Sequence, residues 1–164
     1  MINRLIVFLV VGLLPIITFA QKEITVKDPE IEFKFTKPNG WKTQNDEYYY
    51  YVYSPKVRDA FVSITYVESN KESKIEHDFD LVIQYFYPNN KPGFKLIETG
   101  DDMVDNVRAK WAKYQSSYQG TIRFTILYMF KKNGQTFKIV GSAGEHDFDK
   151  ISEDFIKIIK SIKS

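Results

Sequence analysis

The chain has 164 residues, with 23 basic and 21 acidic side chains, two histidines and no cysteine. So even a charge balance gives no electrostatic footprint for nucleic acid or for an anionic membrane. Without cysteine there is neither a disulfide nor a thiol nucleophile, so packing alone must hold the fold.

Residues 1–20 read as a secretory signal peptide. Met1 to Arg4 is a short basic start, Leu5 to Ile17 is apolar, and Thr18-Phe19-Ala20 is a T-x-A site cleaved before Gln21. The apolar run is short for a bilayer and is interrupted by Gly12 and Pro15, so no membrane span is expected after cleavage. Cleavage removes Arg4 alone among the charges, which leaves 22 basic against 21 acidic residues. The missing cysteines and missing Asn-x-Ser/Thr sequons favour the bacterial periplasm or the extracellular medium.

Residues 21–30 are polar and read as a flexible lead-in. Ile31, Phe33 and Phe35 then alternate with Glu32, Lys34 and Thr36 as a half-buried strand. Pro38-Asn39-Gly40 turns the chain before Trp41. Glu47 to Tyr53 is a second strand, with five tyrosines and Val52 putting rings on both faces. Ala60 to Val67 is a third. Asp78 reads as a helix N-cap, followed by a stripe of Phe79, Val82, Ile83 and Phe86 that must end by Tyr87, because Pro88 follows. Phe94 to Thr99 is a short strand closed by Gly100-Asp101-Asp102. Arg108 to Tyr118 is a longer one, in which Trp111 and Tyr114 are out of phase. That mismatch points to a bulge or to a strand covered on both faces.

Thr121 to Ala143 is a long hairpin. Asn133-Gly134 is a two-residue turn signal, and it pairs Lys132 with Gln135, Phe130 with Phe137, Tyr128 with Ile139, Ile126 with Gly141, and Phe124 with Ala143. The opposite face carries Leu127, Met129 and Val140 among Thr125, Lys138 and Ser142, so layers are needed on both sides. A terminal helix follows, with Phe148, Ile151, Phe155, Ile158, Ile159 and Ile162 on one side.

Two constellations are candidate sites. His77-Asp78 and His146-Asp147 lie in identical pentapeptides, Glu-His-Asp-Phe-Asp, each opening a helix. Asp78 and Asp147 suit N-caps, and the same residues could ligate a divalent metal if the two helix starts met. An internal duplication would also repeat the pentapeptide. Trp41 with Tyr49, Tyr51 and Tyr53 reads either as packing or as a binding face, since rings with polar tips suit ligand grooves and interfaces. Gly141-Ser142-Ala143-Gly144 is not a nucleophile elbow, and no phosphate loop or dinucleotide fingerprint occurs. An enzymatic reading therefore has no motif to rest on, and no cofactor is implied.

Several segments together resemble the PsbP-like superfamily, which takes in PsbP, Mog-type and DcrB-type proteins. They are Phe33-x-Phe35-x-x-Pro38-x-Gly40-Trp41, Asp80-Leu81 with Tyr85, and Phe94-Lys95-Leu96-Ile97. Arg108-Ala109-x-Trp111-x-x-Tyr114, Gly134-Gln135-x-Phe137-x-Ile139-x-Gly141-Ser142-Ala143 and the helix from Phe148 to Ile162 complete the pattern. The resemblance implies one α+β domain over 31–164, an antiparallel sheet flanked by helices as an α/β/α sandwich. It also implies a non-catalytic role in binding or assembling something else, with no shared ligand. The expectation is an exported binding or assembly-accessory protein of the bacterial envelope, with an unidentified envelope protein as partner. The alternatives are a small-ligand binder at Trp41 and the tyrosines, and a metal-dependent protein using the two pentapeptides.

Overall fold

The computed structural model describes residues 21–29, 31–46 and 49–164. The expected signal peptide, residues 1–20, lies outside them, as do Glu47 and Tyr48. Among the described residues nine strands and a few helical segments make up the fold: β1 (Lys22–Lys27), β2 (Glu32–Lys37), β3 (Lys42–Asp46), β4 (Tyr49–Tyr53), β5 (Phe61–Glu68), β6 (Lys95–Val104), β7 (Val107–Tyr118), β8 (Thr121–Lys132) and β9 (Gln135–Gly144). The helices are α1 (Ile75–Leu81), α2 (Tyr87–Asn90) and α3 (Phe148–Lys160), and a π-helical turn, Val82–Phe86, joins the first two. Seven strands form one antiparallel sheet in the order β3-β4-β5-β9-β8-β7-β6. The β8–β9 hairpin lies at its centre in the expected register, with Phe130 opposite Phe137 and Ile126 opposite Gly141.

The sheet is covered on both faces. On one side α3 and the separate β1–β2 hairpin bury the larger core, which includes Phe33, Phe35, Trp41, Val62, Phe130, Phe137, Ile139 and Phe155. On the other side α1 and α2 cover a smaller core of Ile75, Phe79, Ile83 and Tyr87 on Ala112, Tyr114, Leu127 and Met129. Trp111 and Tyr114 are out of phase because β7 is buried on both faces: Trp111 packs on the larger core and Tyr114 within the smaller. The bulge is on its neighbour, between Leu96 and Glu98 of β6.

Four expectations need correction. A strand, β1, stands where a flexible lead-in was expected, and it pairs with all of β2. Only Val26 of β1 is buried, so its apolar alternation is weak in the sequence. Asp78 does not cap its helix. The first helical residue is Ile75, which is buried together with Phe79 one turn on, and Lys74 holds the cap position without a side-chain bond. The helix also continues past Tyr87. The π-turn adds a residue ahead of Pro88, whose ring would clash under an ordinary helical turn. That extra residue moves the buried position from Phe86, which is exposed, to Tyr87, which is buried. Finally, Gly100-Asp101-Asp102 is strand, and the β6–β7 turn is Asp105-Asn106, both with positive φ. A Cβ on Gly100 would lie 2.6 Å from Trp111 Nε1, so the glycine makes room for an indole.

Candidate functional site

The alternation of β4 divides its residues between the two faces of the sheet. Tyr50 and Val52 turn toward the larger core: Val52 is fully buried, and Tyr50 packs edge-on against Phe33 and donates to Asp28 Oδ2 at 2.9 Å. Tyr49, Tyr51 and Tyr53 turn the other way. Their rings stack in a ladder, with centroids 5.6 and 5.7 Å apart and planes within 21° of parallel. Phe61 of β5 flanks the ladder, 5.9 Å from Tyr51. The Arg123 guanidinium lies 5.5 Å from the Phe61 ring centre, and it donates to Ser142 Oγ at 3.1 Å and to the Asp59 carbonyl at 2.6 Å. Tyr49 is 38 % exposed, and Tyr51, Tyr53 and Phe61 are half-buried.

Helices α1 and α2 pack over β7 and β8. Ser63, Thr65, Lys138 and Val140 of β5 and β9 lie on the same sheet face, in the strands between the ladder and β8. Tyr87 of α2 is buried against Tyr114, with ring centres 5.2 Å apart. Its hydroxyl is pushed up to about 12, mainly by burial, with Tyr49 near enough to add to the shift. Lys91, just after α2, places Nζ 4.8 Å from the Tyr87 ring centre and 5.9 Å from that of Tyr114. Burial lowers the pKa of Lys91, and repulsion from Lys138 lowers it further. Burial also lowers Lys138.

The sequence-predicted candidates separate. Trp41 is 3 % exposed and meets Phe155 of α3 edge-on at 6.2 Å, in the larger core and on the opposite side of the sheet from the ladder. The two pentapeptides also part. His77 is exposed on α1, while His146 is exposed in the turn before α3, on the other face. Asp78 pairs with Lys131 at 2.7 Å, and Asp147 with Lys150 at 2.8 Å. Asp147 does occupy the N-cap position of α3, but its carboxylate takes the lysine rather than a helix N–H. Among the described residues no group of three His, Cys, Asp or Glu side chains could hold a metal ion, and the two helix starts do not meet as the metal reading required. His77 lines a shallow depression of about 630 Å³ with Asn70, Ser73 and Asp80.

The sequence reading did not single out Lys91, Lys138, Phe61 or Arg123. Lys138 carried a usable signal, a cation beside Phe137, Ile139 and Val140 in a central strand. Lys91 carried none, since it reads as part of a polar turn.

The fold matches three solved structures. Cyanobacterial PsbP (CyanoP) from Synechocystis sp. PCC 6803 superposes with a TM-score of 0.65 at 14 % identity, over 93 % of this chain and 97 % of that one. The fold is PsbP-like. PA94 of Pseudomonas aeruginosa, a putative regulator of unknown function, gives 0.60 at 15 % identity over 85 % of this chain and 94 % of its own. LpqN of Mycobacterium tuberculosis, involved in cell envelope biogenesis, gives 0.58 at 13 % identity over 87 % and 90 %. No family model and no curated protein matches the sequence. At these identities the PsbP-like likeness concerns architecture alone, and the tyrosine ladder is a feature of this chain's own residues. Among the described residues no helix is long and apolar enough to cross a membrane.

Proposed function

We propose that this chain is an exported, non-catalytic accessory protein of the bacterial envelope that works by binding through the tyrosine ladder of its sheet. One observation carries the reading: Tyr49, Tyr51 and Tyr53 stack in a ladder on the sheet face away from the larger core, with Tyr49 exposed. Parallel rings with polar tips bring a large apolar area at small entropic cost, which suits a recognition surface. The basic-apolar-small layout of residues 1–20 supports export. The PsbP-like fold and the involvement of LpqN in envelope biogenesis are compatible with an accessory role.

A photo-cross-linker tests this in the native cell. Tyr49→p-benzoylphenylalanine is expected to give one dominant adduct, and the same substitution at Glu153, exposed on α3, only background. The mass of the adduct separates a protein partner from a small molecule. Equal labelling from both positions would sink the reading. So would catalytic turnover by the purified protein that a single substitution abolishes without unfolding it.

A further inference from the structure

The strand edges of the fold are not protected alike. The outer edge of β2 is covered by the chain end, through the paired backbone bonds of Lys34 and Lys163. β6, at one end of the seven-stranded sheet, carries the bulge between Leu96 and Glu98, a device that blunts an edge. β1 and β3 have neither form of cover. Each has a single strand neighbour, and the middle of β3, Thr43-Gln44-Asn45, is exposed and holds no charge and no proline. The outward backbone N–H and C=O groups of both strands have no partner among the described residues.

These two bare edges line one groove of about 390 Å³, with Ile24, Val26 and Phe35 on one side and Thr43, Asn45 and Tyr50 on the other. Thr43 is the cross-strand partner of Val52, so its side chain lies on the larger-core side of the sheet, where the β1–β2 hairpin packs. The two edges run in the same direction. At one end Lys22 opens β1 opposite Lys37, whose ammonium donates to the carbonyl of Trp41, just ahead of Lys42 in β3. At the other end Asp28 follows β1 and accepts from Tyr50, the partner of Asn45 near the end of β3. The groove is therefore polarised. Lys22, Lys37 and Lys42 gather at its first end, where Glu23 is already paired with Lys34. Asp28 and Asp46 stand at its second end, with Lys27 beside them. Among the described residues Lys22 and Lys42 have no carboxylate partner.

We propose that this groove takes the extended C-terminal segment of another polypeptide, which adds to β3 as an antiparallel strand with its carboxylate at the lysine end. The site lies on the larger-core side of β3 and does not depend on the role of the tyrosine ladder. An extended backbone supplies donors and acceptors at the repeat that the bare edge of β3 requires. Every second side chain of the segment faces Ile24, Val26 and Phe35, so alternating apolar residues suit it. Charge sets the direction: a reversed chain would bring its carboxylate against Asp28 and Asp46.

The test follows the backbone amides of the purified protein by NMR as acetylated hexapeptides are added. Three sequences alternate threonine with valine, leucine or phenylalanine, each with a free C-terminal carboxylate. At least one is expected to bind saturably, to shift amides of both β1 and β3, and to slow hydrogen exchange within Thr43–Asn45. The same peptide as its C-terminal amide should bind about fivefold more weakly, the scale of an exposed charge interaction. Of the two alternate patterns of backbone N-methylation, at least one should abolish binding. Thr43→Trp fills the groove from an exposed position; it should abolish binding and leave the melting temperature unchanged. Lys22→Met combined with Lys42→Met should remove the preference for the acid over the amide. Failure of all three acids to bind overturns the proposal, and so do equal affinities of acid and amide for the parent protein. Shifts confined to Tyr49, Tyr51 and Tyr53 would place the peptide on the ladder instead and overturn the groove assignment. If the β1 and β3 amides shift when the protein alone is concentrated, a second copy fills the groove and the assigned partner is wrong.

Discussion

Asp105 occupies the first position of the β6–β7 turn at φ 48° and is almost fully buried. Its carboxylate collects the Lys132 ammonium, the Ser164 backbone N–H at 2.8 Å and, at 3.6 Å, Lys163. It thus ties a tight turn, the central hairpin and the chain end together. Burial alone would raise its pKa, but the bonds from Lys132 and Ser164 outweigh this and hold it below the usual carboxylate range. Asp102, bonded to Lys160 and Tyr128, and Asp78, bonded to Lys131, are held low in the same way against the same penalty. A carboxylate depressed in the folded state contributes stability that is complete above its unfolded pKa of about 3.9 and is lost as pH falls through the folded value. Urea midpoints should therefore be insensitive to these groups from pH 7 to 5 and fall below about pH 4. Asp105→Asn should cost about 2 kcal/mol at neutral pH, the loss of charge-assisted bonds, and should flatten the acid limb. A variant whose acid limb is as steep as the parent's would refute this assignment. The turn was hidden in the sequence because Asp-Asn lacks the glycine that usually marks two positive φ values. Gly100 drew the turn assignment instead, although its small size serves Trp111.

At the scale of elements, legibility followed the strength of the repeating pattern. The β8–β9 register was readable residue by residue, because a one-residue slip would move every apolar pair to the wrong face. The stripe of α3 was equally plain, and all six of its expected core residues are buried. Strand β3 was missed because all five of its residues are exposed and polar; it exists by pairing with β4. The π-turn could not be read from a 3.6-residue period, since the extra residue breaks that period. Gly141 links the two well-read elements. Phe155 of α3 lies directly over it, and a Cβ there would come within 2.7 Å of Phe155 Cγ. Gly141→Ala should cost about 1–3 kcal/mol through overpacking. Phe155→Ala should cost about 3–5 kcal/mol through the cavity it leaves. The double variant should lose less than the sum, because removing the ring relieves the clash. Strict additivity of the melting data would mean that helix and strand do not meet at this point.

The whole molecule is asymmetric across its sheet. On the α3 side the helix, the β1–β2 hairpin and six strands interlock, and the chain end closes the layer: Lys34 and Lys163 exchange backbone hydrogen bonds of 2.7 and 2.8 Å. On the other side a short helix broken by a π-turn rests on a smaller core, with Leu81, Tyr85 and Phe86 exposed along its outer surface. No reading of the pentapeptides could have foreseen that a sheet separates them, because the side each helix takes depends on long-range strand order. The asymmetry predicts unequal local stability. Native-state hydrogen exchange should place β8, β9 and α3 near the global unfolding free energy, and residues 75–90 well below it, since few buried contacts hold that segment. Uniform protection across β8, β9, α3 and residues 75–90 would mean instead that both sides of the sheet unfold as one unit.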